Sequence, residues 1–217
     1  MKHKISVLTM DGRLLGKESL SSISKNDVLG IAVQTETIGL ILSIEEWNAP
    51  WGEYGKLVHE AQGDAKNLME LNGQEMTKRI VEFQKQSGYS ERSAAQICAE
   101  FKRGGRDFYQ PNVYELCTIQ AHMEEINEFL RALDLPLLQD DEFYWSSSEY
   151  SSFIAVFVYF SSGGINYYNK SGSNYVRAVS AFAKLSDLST SHCEPSEQCG
   201  LCSLTLSDEE LVNILRS

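Results

Sequence analysis

Four histidines and five cysteines are the side chains best suited to hold a metal or attack a carbonyl, and their spacing speaks against both uses. His3, His59, His122 and His192 stand singly, without the spacing that brings imidazoles onto one ion. No Ser–His or Cys–His pairing is suggested by context, so no activated nucleophile is indicated. Cys98 and Cys117 sit among apolar neighbours in helix-like segments and read as small buried hydrophobes. Cys193, Cys199 and Cys202, with His192 adjacent, offer up to four soft ligands. Zinc prefers paired C-x2-C units, and His192 and Cys193 point awkwardly as neighbours, so reduced thiols are the expectation. The odd count and loose spacing describe no disulfide framework. Glu124-Glu125 reads as a solvated helix face and Asp140-Asp141-Glu142 as an acidic loop. The expectation is a chain with no catalytic residue, no metal and no cofactor.

The residues that stand out are suited to non-covalent contact. Residues 143–182, FYWSSSEYSSFIAVFVYFSSGGINYYNKSGSNYVRAVSAF, hold six of the ten tyrosines and hardly any charge. Tyr, Ser, Gly and Asn combine rigid amphipathic area with adaptable hydrogen bonding, as in an antibody paratope. That composition favours recognition over catalysis. Glu149 and Arg177 are among the few charges here, and a salt bridge between them would frame the segment. Tyr144 and Trp145 read as core, and Ser146 to Ser148 as hydrogen-bond partners of nearby backbone amides.

The elements that must position this segment can be read along the chain. Residues 1–47 alternate strand-like pieces with turns: KISVLT, the turn at Asp11-Gly12, VLGIAVQT and LILSIEEW, with breaks at Gly30 and Gly39. From about residue 56 to 135 the spacing becomes helical, interrupted at Gly73 and Gly88. Ser90 precedes a run whose Ala94, Ile97, Cys98 and Phe101 share a face, and Gly104-Gly105 would end it. A second helix is expected from Pro111, burying Val113, Leu116, Cys117, Ile126, Phe129 and Leu130. FIAVFVYF then alternates Ile154, Val156, Val158 and Phe160 with Phe153, Ala155, Phe157 and Tyr159. Only one of those faces need be core. Turns at SSGG and SGSN make INYYNK and YVRAVSAF the rest of a meander, with Val176, Ala178 and Phe182 inward and Tyr175 and Arg177 opposite. In the tail, Ser207 and Glu210 form a capping box before Leu211, Val212, Ile214 and Leu215, a short helix that would have to dock.

Length and charge bound the rest. A chain of 217 residues with ordinary globular composition can bury a substantial core, and one main domain is the prior. The net charge of -11 would repel a phosphate backbone, and no basic stripe overturns that, so nucleic acid is not an expected ligand. The opening MKHKISVLTMDGRLLG reads as a strand and turn instead of a signal peptide, and no run approaches the ~20 apolar residues that span a bilayer. The expectation is a soluble chain, without membrane insertion, whose localisation stays open.

GRDFYQPNVYEL with its following helix, then YWSSSEYSS, an apolar strand, NYYNK and NYVRAVSAF, resembles the variable proteins of diversity-generating retroelements, a bacterial and phage family with the C-type-lectin-like fold. The resemblance covers roughly residues 30–182 and includes GIAVQTETIGLILSIEEWNAPWGEYG. The YWSSSEY and NYVRAV blocks together are specific, and either alone is weak. The resemblance implies an α+β, C-type-lectin-like fold, with two helices packed on a small antiparallel sheet and a C-terminal β-meander. With the change of composition from Ser186 onward, the chain divides into a ligand-binding domain over residues 1–185 and a tail over residues 186–217. In that family, adenine-directed mutagenesis replaces exposed residues between fixed blocks. Carried over, the ligand-binding candidates are Phe153, Ile154, Phe157, Tyr159, Ser161, Ser162, Tyr167, Tyr168, Ser171 and Gly172.

The implied partner is a protein or glycan ligand on a cell or phage-host surface, with homo-oligomerisation as a source of multivalency. Two departures stand out: Val156 lies where relatives commonly carry Trp, and residues 183–217 continue past the point where many stop. The calcium triplets of sugar-binding C-type lectins are missing, since Trp47-Asn48 continues into Ala49, so no calcium site of that kind is expected. Two alternatives remain. One is an enzyme of the formylglycine-generating branch of the fold, which would need a reactive cysteine pair or a metal; the other is a structural module of a phage or surface assembly.

Overall fold

The computed structural model describes residues 3–58 and 72–185. The segment expected to form a tail helix and the residues His59, His192, Cys193, Cys199 and Cys202 lie outside the described residues. In chain order the strands are β1 (His3–Thr9), β2 (Leu14–Leu15), β3 (Val28–Thr35), β4 (Gly39–Leu42), β5 (Trp47–Pro50), β6 (Lys102–Arg103), β7 (Arg106–Asp107), β8 (Phe143–Glu149), β9 (Ile154–Tyr159), β10 (Gly164–Asn169), β11 (Ser173–Val176) and β12 (Val179–Ala181). The helices are α1 (Gly73–Ser87), α2 (Ala94–Glu100), α3 (Val113–Ala121) and α4 (Met123–Ala132). The architecture is α+β with mostly antiparallel sheets.

In place of one small sheet there are two of five strands, ordered β12-β4-β3-β1-β2 and β10-β9-β8-β11-β5, besides the β6-β7 hairpin. Strands from the two ends of the chain interleave. β12 returns to pair with β4 in the first sheet, and β5 leaves it to pair with β11 in the second. This crossing splits YVRAVSAF into two strands, so the expected third leg of the meander belongs to both sheets.

Two apolar cores result. Val113, Leu116 and Ile119 of α3 and Ile126, Phe129 and Leu130 of α4 pack with Ile31, Val33, Leu40, Leu42, Val156 and Val158. Ile80 of α1 and Ala94, Ala95, Ile97 and Cys98 of α2 pack with Trp51, Trp145, Ala155, Phe157 and Val176. Each sheet therefore buries both faces.

Helix ends follow side-chain chemistry, with shifts from expectation. α2 is capped by Ser93, three residues after Ser90, because Ser93 accepts from the Gln96 amide while Gln96 reaches back to the Ser93 amide. α2 stops at Glu100, and Gly104 and Gly105 (φ 58° and 73°) instead make the β6-β7 turn. The helix expected from Pro111 is two helices, broken at His122 (φ -116°, ψ 14°). Its apolar set is buried as expected, with Cys117 partly so.

Gly30 is no break. It lies inside β3 opposite Leu8, and a Cβ there would sit 2.5 Å from both the Ile41 side chain and the Leu42 carbonyl oxygen. Gly30→Ala should destabilise the fold by about 1–3 kcal/mol through overpacking. Urea denaturation would show this as a lower midpoint at unchanged slope.

Candidate functional site

Of the ten candidate residues, the structure buries one, half-buries several and divides the others between two ends of the second sheet. β9 is covered on both faces, so the open face expected on it is absent. Val156 and Val158 face one core and Ala155 and Phe157 the other. Phe157 is only 7 % exposed beneath Phe143 (ring centroids 4.8 Å apart), which corrects its assignment as a surface contact. Ile154 and Tyr159 are half-buried.

The exposed aromatic surface lies one strand further out. β10 pairs with β9 alone, and all six of its residues are exposed. Register places Tyr167 opposite Val156 and Tyr168 opposite Ala155, so the two tyrosines project from opposite faces. Tyr167 stacks on Tyr150 at 4.8 Å with the rings 19° from parallel. Tyr168 lies over Gly172, where a Cβ would collide with its ring.

Three loops meet at this end of the sheet. The Lys170 amide donates to the Phe153 carbonyl, and the Gly55 amide donates to the Ser152 carbonyl. Phe153, 50 % exposed, packs on Tyr54, 52 % exposed, at 5.1 Å. Leu57, three residues after Tyr54, is also half exposed. Tyr54 and Leu57 escape sequence reasoning because they belong to an irregular loop; the WGEYGK run, aromatic and glycine-rich, is the signal that could have found them. Ser171 is exposed at the neighbouring turn.

Tyr159, Ser161 and Ser162 lie at the other end. The Tyr159 hydroxyl donates to Asp141, and Ser162 Oγ accepts from the Gly164 amide at 3.3 Å. A cleft of about 810 Å³ runs from Ser161 and Phe160 past Gln120 and Asn127. The Gln120 amide nitrogen donates to the Phe160 carbonyl at 3.0 Å.

The charges framing the aromatic segment are internal. Glu149 does not meet Arg177 as expected. It forms a fully buried ion pair with Lys170, whereas Arg177 pairs with Glu46 at 3.4 Å and donates to the Ser43 and Pro136 carbonyls. The cause is the strand crossing, which carries Arg177 into the first core's layer while Lys170 stays at the β10-β11 turn. Burial holds Lys170 and Arg177 below their ordinary values, and their carboxylate partners oppose that. Burial likewise raises Glu46 against the Tyr144 hydroxyl and Arg177. Tyr144 and Trp145 are core as read. Ser146 to Ser148 are fully buried; Ser146 Oγ donates to the Val156 carbonyl and accepts from the Ser148 amide.

A second buried carboxylate supports the helical layer. Glu115 closes the α3 capping box, accepting from the Asn112 amide (2.7 Å) and the Tyr109 hydroxyl (2.6 Å). Burial raises its carboxyl above the ordinary 4.5, against those two hydrogen bonds. The folded chain thus holds this proton more tightly than the unfolded one. The stability it contributes is present below about 4.5 and is lost as pH rises through the folded value. The stability of the native chain relative to Glu115→Gln should therefore fall as pH rises from 4.5. Paired thermal melts would check the sign.

Among the described residues no three His, Cys, Asp or Glu side chains are placed to hold a metal. No helix among them is long and apolar enough to cross a membrane.

No family model and no curated protein matches the chain. A solved structure does: a fimbrial protein from Bacteroides ovatus, with a TM-score of 0.63 at 14% identity, over 82% of this chain and 48% of that one. The likeness is one of fold. The chain spans about half the length of that fimbrial protein.

Proposed function

We propose that this chain is a surface-recognition protein with a C-type-lectin-like fold, of the kind whose exposed residues a retroelement diversifies. Its ligand is a protein or glycan on a cell or phage-host surface. It acts by binding, without catalysis or cofactor. One observation carries the reading: the three charged side chains of residues 143–182, Glu149, Lys170 and Arg177, are all buried, so the segment exposes uncharged side chains, Ile165 and Tyr167 on one face of β10, Tyr168 on the other and Phe153 at the neighbouring turn. Large exposed aromatics cost a soluble fold and are retained where a partner covers them.

The second reading is a structural subunit of a surface assembly, favoured by the fimbrial neighbour. A binding screen on arrayed glycans and surface proteins, run beside sedimentation of the free chain, separates the two. Recognition predicts a stable free chain with binding lost by about 30-fold or more when Phe153, Tyr167 and Tyr168 become Ser. Homo-oligomers that dissolve in the same variant would instead support the structural reading.

A further inference from the structure

The loop 51–58 is held by one residue acting three ways. The Lys170 carbonyl accepts from the Trp51 amide (2.9 Å) and the Gly52 amide (3.2 Å). Its ammonium donates to the Lys56 carbonyl at 2.7 Å and lies 4.8 Å from the centre of the buried Trp51 ring. Its partner Glu149 accepts from the Val58 amide at 2.9 and 3.1 Å. Lys56 and Val58 flank Leu57, so the backbone on both sides of that exposed side chain is tied to the pair. The Gly55–Ser152 bond fixes the middle of the loop, next to Tyr54.

We propose that the recognition surface is composite: Tyr54 and Leu57 join Phe153 in it, Glu149 and Lys170 are its positioning residues, and its occupant is a protein segment presenting uncharged apolar side chains. This rests on the recognition reading above. The choice of occupant follows from charge and hydrogen bonding. A chain of net charge -11 draws cationic partners through its field, yet residues 143–182 expose no formal charge to use it, and the loop adds only Glu53 and Lys56, of opposite sign. Leu57 and Phe153 have no polar atoms beyond the backbone, and Ser151 Oγ is occupied by the Phe153 and Ile154 amides (3.2 and 3.3 Å). A saccharide needs convergent donors and acceptors, and among the described residues the side chains of Tyr54, Leu57 and Phe153 offer a single hydroxyl, that of Tyr54. An anchored loop loses little freedom on binding, so its side chains can act as preorganised anchors.

The test is panning of a random peptide library on the intact chain, with the recovered peptides titrated against variants. Expected are uncharged, apolar peptides whose affinity is the same at low and high salt and falls about 30-fold in Tyr54→Ser/Leu57→Ser. Glu149→Leu/Lys170→Met replaces the pair by apolar side chains of similar size, which a fold can tolerate. In that variant the Val58 amide, which loses its acceptor, should exchange faster while β8 and β9 stay protected, and peptide affinity should fall. Cationic, salt-sensitive peptides, binding to arrayed glycans alone, or self-association through the rim would each overturn the occupant. Unchanged exchange in the loop would overturn the positioning role and leave recognition standing. Faster exchange with unaltered affinity would remove Tyr54 and Leu57 from the surface. Peptide affinity indifferent to Phe153→Ser as well would overturn the recognition reading itself.

Discussion

Lys170→Met should destabilise the chain by about 3–5 kcal/mol, the usual cost of removing one partner from a buried ion pair. Both side chains of the Glu149–Lys170 pair are inaccessible to solvent, so the remaining carboxylate would face the Val58 amide without its cation. The Lys56 carbonyl would lose its donor and the Trp51 ring its overlying charge in the same change. The penalty is that of an unpaired charge, so the companion change Glu149→Leu should restore most of it. Chemical denaturation of the two single variants and the double variant measures the coupling. A single variant within about 1 kcal/mol of the native chain would mean that the pair is not desolvated as described.

Phe157→Ser and Phe153→Ser should differ widely although the residues are four apart on one strand-like run. Phe157 lies in the second core with Trp145 and Ala155, and truncation should cost about 3–5 kcal/mol, as for buried Phe→Ala changes, with a polar group added. Phe153 is half exposed against Tyr54, and its loss should stay within about 0.5 kcal/mol in the absence of a partner. Thermal unfolding of the two variants at one pH checks the contrast. Equal effects would show that both rings serve the same layer.

That contrast marks what could be read before the fold was known. The alternation along FIAVFVYF assigns Val156 and Val158 to one face and Ala155 and Phe157 to the other, as observed. A run apolar on both faces is itself the mark of two-sided burial. Tyr167-Tyr168, the Ser-Gly turns and the family resemblance point to one open face on that strand, and packing between two cores closes it. The apolar stripe shared by α3 and α4 was legible from its helical spacing, but the break at His122 was not, and the Asn112–Glu115 capping box puts the start of α3 just after the expected Pro111. Ion pairing was not legible. Glu149 meets Lys170 because the β8-β9-β10 meander brings the end of β8 beside the turn after β10, and no spacing rule links residues so joined. Tyr54 and Leu57 were hidden for the same reason, since irregular backbone carries no period.

The strand crossing also sets an order of events. Leu42 finds its partner at Val179 and Pro50 finds its own at Ser173, so neither sheet can close until the C-terminal strands have left the ribosome. Until then β3 and β4 hold a run of buried-type side chains with one hydrogen-bonding edge unfilled. Pairings this distant in sequence are late and slow to form. A nascent chain of this topology is exposed to misassociation until β11 and β12 have emerged. By contrast, the outermost strand, β10, adds to an edge already framed by β8 and β9, so its sequence can vary with little bearing on whether the chain folds.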